Sequence, residues 1–184
     1  MTQPNTCHIK FFANVDESTI KALVSNLEQQ LTAGVRRFVL LISSGGGTVF
    51  HGLSAYNYLK GIPAEVVTHN FGSVDSIGVV IFCAGDRRYS VPHARFLLHG
   101  VSAQFPQGAA LEEKQLEERL KGLKIDTKNI AGVIAANCAK SEEEVHQAML
   151  ERTTLNPEQA VAWGLVHEIK EELVDLSGPY VSIQ

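Results

Sequence analysis

The chain has 184 residues, enough for one domain with a substantial core. Hydrophobic residues make up 45% and charged residues 20%, the balance of a soluble globular protein, and a net charge of -4 without a long Lys/Arg run argues against a nucleic-acid partner. The opening MTQPNTCHIKFF lacks the basic stretch and apolar run of a secretory signal, and FVLLI and IGVVIFCAG are too short to span a bilayer, so no membrane partner and a cytoplasmic location are expected.

HIKFFANV reads as a first strand. Residues 16–33 put Ile20, Leu23, Val24, Leu27 and Leu31 on one helical face, with Asp16 as N-cap and Gly34 as stop. RRFVLLIS is a continuous apolar run, the pattern of a strand covered on both faces. A Gly-rich turn follows, then VFHGLSAYNYLKG as a helix ending at Gly61. AEVVTHN is a third strand, DSIGVVIFCAG a buried helix, and RRYSVP and RFLLHG two short strands. Residues 109–139 form a long helical stretch, charged at first and Ala/Ile-rich later. SEEEVHQAML is a helix with Ser141 as N-cap and Glu144 closing a capping box. NPEQAVAWG starts a last helix at Pro157 and stops at Gly164, and LVHEI is a final strand. Strands alternate with helices, which predicts the α/β class with a largely parallel sheet. Cys7, Cys83 and Cys138 are scattered, giving no disulfide framework and no metal-ligand spacing, and read as buried free thiols.

Three stretches carry candidate chemistry. In LLISSGGGTV a buried strand runs through Gly45-Gly46-Gly47 into a helix. Such a turn can offer backbone N–H groups to an anion, or can be a plain tight turn. It lacks the Lys-Ser/Thr ending of a phosphate-binding loop, and Phe50 stands where a dinucleotide fingerprint needs Gly. Ser76, in GSVDSIG, starts a buried helix and taken alone reads as an N-cap, with Asp75 competing for that role, while a nucleophile is the alternative; Val74 in place of Gly argues against the α/β-hydrolase elbow. His99 ends RFLLH, where a structural role is also open.

The order of these stretches, with their flanks, resembles the Clp protease proteolytic subunit family, whose superfamily includes the crotonases. The family's S-P-G-G-S-V turn is similar to Ser44-Gly45-Gly46-Gly47-Thr48-Val49, and its G-L-x-x-Y to Gly52, Leu53 and Tyr56. Its G-x-x-x-S-M-G resembles Gly72 to Gly78, and its L-P-N-S-R-x-x-x-H resembles VPHARFLLH. FPQGAA and QAVAWGLVHE resemble two further family segments, so the likeness runs from about His8 to Ile169. The resemblance implies stacked ββα units with a head (1–104 and 150–184) and a projecting handle (about 105–149) in a single domain. It implies a serine-type endopeptidase with Ser76 as nucleophile, His99 as base and the N–H groups of Gly47 and Ile77 as oxyanion hole. It implies no cofactor and no metal, peptide or unfolded-protein substrates, and a homo-oligomer of stacked heptameric rings.

Four departures from the family pattern are visible. Thr153 stands where the family has the Asp that orients the base, with Asn156, Glu151 and Glu158 as neighbouring substitutes. Gly45 replaces Pro, which loosens the turn. Asp75 replaces a small apolar residue and is placed either to hydrogen-bond locally or to act on the charge of His99. The sequence begins almost at the first strand, so docking to an unfoldase ATPase is not expected. The Thr153 substitution keeps open a non-catalytic chamber or interaction subunit. The oxyanion turn keeps open a crotonase-like acyl-CoA enzyme, although such an enzyme has no need of Ser76 and His99.

Overall fold

The computed structural model describes residues 5–105, 107–173 and 178–184. At its centre β2 (Arg37–Ser44) lies parallel to β1 (Thr6–Phe12) on one side and β3 (Glu65–Asp75) on the other. Five consecutive β2 side chains, Phe38 to Ile42, are buried, as a strand covered on both faces requires. One face packs on the helices and holds the main core, including Ile9, Phe11, Phe38, Leu40, Phe82 and Phe96. The other face carries a small cluster of Val39, Leu41 and Val67, flanked by Phe71 and Tyr89.

The third strand is longer than its apolar run AEVVTHN, and its length organises the site. Residues 67–70 pair with β4 (Arg87–Ser90), and residues 73–75 pair in parallel with β5 (Arg95–Leu97). The sheet therefore forks. β4 leads to β7 (Glu168–Ile169), and β5 leads to β6 (Thr154–Leu155), its antiparallel neighbour. β7 is not the last strand: β8 (Tyr180–Ile183) returns to pair in parallel with β1. β6 and β8 carry no apolar run in the sequence like those that mark the other strands, and pairing alone makes them strands.

Helix signals were dependable where a side chain makes the cap. In α1 (Glu17–Thr32) Asp16 Oδ1 accepts the Thr19 N–H at 2.9 Å, which helps hold its carboxyl below the ordinary carboxylate range, and Gly34 follows at φ +91°. In α5 (Glu142–Leu150) Ser141 Oγ accepts from Glu144 N–H, and Glu144 Oε2 accepts the Ser141 N–H at 2.8 Å; that backbone bond leads the causes that take the Glu144 pKa down to about 2. In α6 (Pro157–Ala162) Asn156 caps and Pro157 begins the helix. α2 (Val49–Gly61) matches its expected span, and α3 (Ile77–Phe82) is buried at all six positions. α4 (Glu113–Ala136) is shorter than the expected 109–139. Its cap is Glu112, held by Gln115, and only Ile130, Ala131 and Ile134 are buried. Leu116 and Leu120, in its charged first half, are about half exposed.

Arg88 ties the far end of α4 to the end of α6. Its buried guanidinium donates to the carbonyls of Gly85, Leu165 and Asn137 at 3.1, 2.8 and 2.6 Å. Of the thiols, Cys7 and Cys83 are buried and Cys138 only partly so, a correction to the expectation for Cys138. Burial pushes the Cys83 thiol up to about 12. Among the described residues no His/Cys/Asp/Glu group could hold a metal ion, and no helix is long and apolar enough to cross a membrane.

Candidate active site

The Gly-rich turn joins β2 to α2 and is fastened to the chain at Val15. Val15 N–H donates to Gly46 O and Thr48 N–H to Val15 O, both at 2.8 Å. Gly46 N–H donates to Ser44 Oγ at 3.2 Å. Among the described residues these bonds leave the Gly47 N–H without a partner. Gly46 and Gly47 have φ of +89° and +149°, and a Cβ at Gly47 would run into the Val15 carbonyl. Gly45 is different: it has no positive φ, and a Cβ there would meet only Asn14 Oδ1, at 3.7 Å. The contacts with Val15 therefore set the turn.

Ser76 follows β3 at the start of α3. Its φ of 58° and ψ of -129° are unusual for any residue but Gly, and its side chain makes no cap hydrogen bond. The N-cap explanation of this serine therefore fails on geometry. A conformation of this kind costs about 1–3 kcal/mol and persists where the surroundings enforce it. Here Ser76 N–H donates to Leu97 O at 2.8 Å, and a Cβ built on Gly46 would lie 2.7 Å from Ser76 Cβ. Ile77 opens α3, so its N–H has no partner within the helix. Gly52 of α2 allows Ile77 to pack close, since a Cβ there would clash with the Ile77 side chain.

His99 lies two residues beyond β5. Its Nδ1 is 2.8 Å from Gly100 O. A carbonyl only accepts, so this contact places the proton on Nδ1 and leaves Nε2 as an acceptor. Ser76, His99 and Gly47 line one cavity of about 70 Å³, floored by Ile130, Ile134 and Met149. Ser76 and His99 share this cavity without a hydrogen bond between them, a looseness common before substrate arrives.

The expected third member is distant in the chain and close in space, bonded to the residue before the base but not to the base itself. Thr153 O accepts the Leu98 N–H at 2.9 Å and Thr153 N–H donates to Ala148 O at 3.0 Å, while the His99 partner is Gly100 O. Asn156 is engaged as the α6 cap, and Glu151 accepts from Gln147 at 2.7 Å. Asp75 bonds locally, to Ser73 and Arg95. Two other histidines are held elsewhere: His69 Nε2 contacts Lys170 O, and His167 Nδ1 accepts the Arg88 N–H. The cavity floor was not singled out from sequence. Its signal was the i,i+4 pair Ile130 and Ile134 in the apolar half of the long helix. Pro106, within FPQGAA, lies outside the described residues.

The forked, largely parallel sheet is an α/β fold shared with a solved ClpP1. A mutant ClpP1 from Listeria monocytogenes superposes with a TM-score of 0.81 at 21% identity, over 90% of this chain and 91% of that one. Residues 5–172 match the Clp protease family, and the chain belongs to that family of serine peptidases. It is 28% identical over 166 residues to ATP-dependent Clp protease proteolytic subunit 3 of Rhodococcus jostii, covering 89% of this chain and 80% of that protein. It is 29% identical over 157 residues to proteolytic subunit 2 of Pseudomonas aeruginosa, covering 84% and 76%.

Proposed function

We infer that the chain is a Clp-type serine peptidase that hydrolyses peptides or unfolded segments. Ser76 Oγ attacks the peptide carbonyl, and His99 Nε2 takes its proton and returns it to the leaving amine. The N–H groups of Gly47 and Ile77 hold the tetrahedral oxyanion, an effect of about 10²–10³ in rate per donor. Thr153 is the candidate third member. The observation that carries the reading is a serine held at φ 58°, free of capping, in one cavity with Gly47 and a histidine whose Nδ1 is already bonded. The apolar floor favours an apolar side chain beside the scissile bond. Treatment with a fluorophosphonate followed by intact-mass measurement tests it. An adduct on Ser76 is expected, and an inert Ser76 in folded protein overturns it.

A second reading, a chamber subunit with little activity, is favoured by the carbonyl, in place of a carboxylate, at His99 Nδ1. Both readings share a single-domain assembly in the cytoplasm with a head (1–104 and 150–184) and a handle (about 105–149). The exposed Leu116 and Leu120 sit on that handle and call for a partner copy. By analogy with the family, that assembly is two heptameric rings stacked face to face. Sedimentation at micromolar concentration checks it, and a clean monomer of 20.1 kDa rejects it.

A further inference from the structure

β5 is three residues long, yet it sets where His99 lies relative to Ser76. It pairs with β3 in the register Ser73↔Arg95, Val74↔Phe96 and Asp75↔Leu97, and on its other side, among the described residues, the two-residue β6 alone supports it. So short a strand has few ladder bonds with which to resist sliding. Val74 and Phe96 are fully buried in the main core. Side chains alternate between faces, so Ser73, Asp75 and Arg95 share the opposite one.

On that face they close a three-cornered network. Ser73 O–H donates to Asp75 Oδ1 at 2.7 Å, Arg95 Nη2 donates to Asp75 Oδ2 at 2.9 Å, and Arg95 Nε donates to Ser73 Oγ at 2.9 Å. The guanidinium fork thus grips two β3 residues at once, which an ammonium could not do with the same geometry. Asp75 immediately precedes Ser76. Leu97, opposite Asp75, accepts the Ser76 N–H and lies two residues before His99. The Asp75 side chain is 11% exposed and that of Arg95 55%, so the network seals its acidic corner and leaves its basic corner open to substitution.

We propose that Ser73, Asp75 and Arg95 are positioning residues: they lock the register of β5 on β3 and thereby fix the separation of Ser76 and His99. The inference rests on the reading of those two residues as nucleophile and base. It explains why a carboxylate occupies the position before the nucleophile: it anchors the strand that carries the base.

The test uses the full chain with Arg95→Gln and Arg95→Lys, both at a half-exposed side chain. Arg95→Gln is expected to lower kcat and the rate of fluorophosphonate labelling about tenfold, since small misplacements of reacting groups are costly. KM should stay within about twofold, because the network does not line the cavity. The Ser76 amide should exchange its hydrogen faster, and Arg95→Lys, which keeps the charge but loses the fork, should fall between. Arg95→Gln protein with wild-type kcat and wild-type protection at Ser76 overturns the proposal. A wild-type protein that takes no label sinks the peptidase reading instead, and protection at the Ser76 amide then decides the register lock alone.

Discussion

The serine side and the histidine side of the cavity are fixed by different means. Ser76 packs on Gly46, where an added Cβ would lie 2.7 Å from its own, and is held by a backbone bond to Leu97 and a fully buried helix in a conformation that a serine does not choose. His99 hangs beyond a three-residue strand, and its Nδ1 is held by the carbonyl of the next residue. The nucleophile is positioned by packing, which tolerates no change of volume; the base is positioned by hydrogen bonds and strand register, which do.

The largest expected effect tests the rigid side. Ser76→Ala should abolish labelling and lower peptidase activity by at least about 10³-fold with folding intact, because the oxyanion hole alone leaves little rate. A variant that cleaves like the wild type would remove the serine side from the comparison. Gly47→Ala comes next: the added methyl meets the Val15 carbonyl, so kcat should fall about 10²-fold and stability by about 1–3 kcal/mol, read from kinetics and urea unfolding. The looser side predicts a gain. Thr153→Asp should raise kcat on the order of tenfold by offering His99 a carboxylate, and an unchanged kcat in folded protein would assign the acceptor role to Gly100 O.

Two smaller effects concern stability. Ser76→Gly should stabilise the fold by about 1 kcal/mol while destroying activity, the signature of strain kept for function; a lower melting temperature would deny that strain. His69 is lowered from the ordinary histidine range chiefly by burial, so it is neutral in the folded protein while the unfolded chain takes up a proton near pH 6.5. Its contribution is therefore complete above about pH 6.5 and is lost as pH falls from there through the folded value. Urea midpoints at falling pH should decline more steeply for the wild type than for His69→Gln. That result would separate an acid effect on the sheet from one on the site.

Much of this was legible in the sequence for a physical reason. Caps, stops and continuous apolar runs are local, so Asp16, Ser141, Pro157 and the β2 run announced their elements. Ser76, Gly47 and His99 were legible only jointly, through their order and flanks. The span of β3 was not, because Gly72 and Ser73 break its apolar run while the strand continues through pairing with β5, a contact made by residues more than twenty positions away. The state of His99 was equally hidden: a carbonyl carries no residue identity, so nothing in the letters says that Gly100 O fills the acceptor position. Nor does the sequence show that Asp75 faces Arg95, which depends on the β5 register.

The pairing of β8 with β1 has a consequence in time. His8 to Phe11 find one of their two partner strands within the first 44 residues, but the other only at Tyr180–Ile183. On a ribosome adding about 5–20 residues per second, that flank of β1 stays without its neighbour for on the order of ten seconds. During that interval its unpaired N–H and C=O groups are open to strand addition by another nascent chain. The chain's exposure to misassembly is thus set by the order in which it is made, and slowing translation over its last third should raise the aggregated fraction without altering the stability of the finished protein.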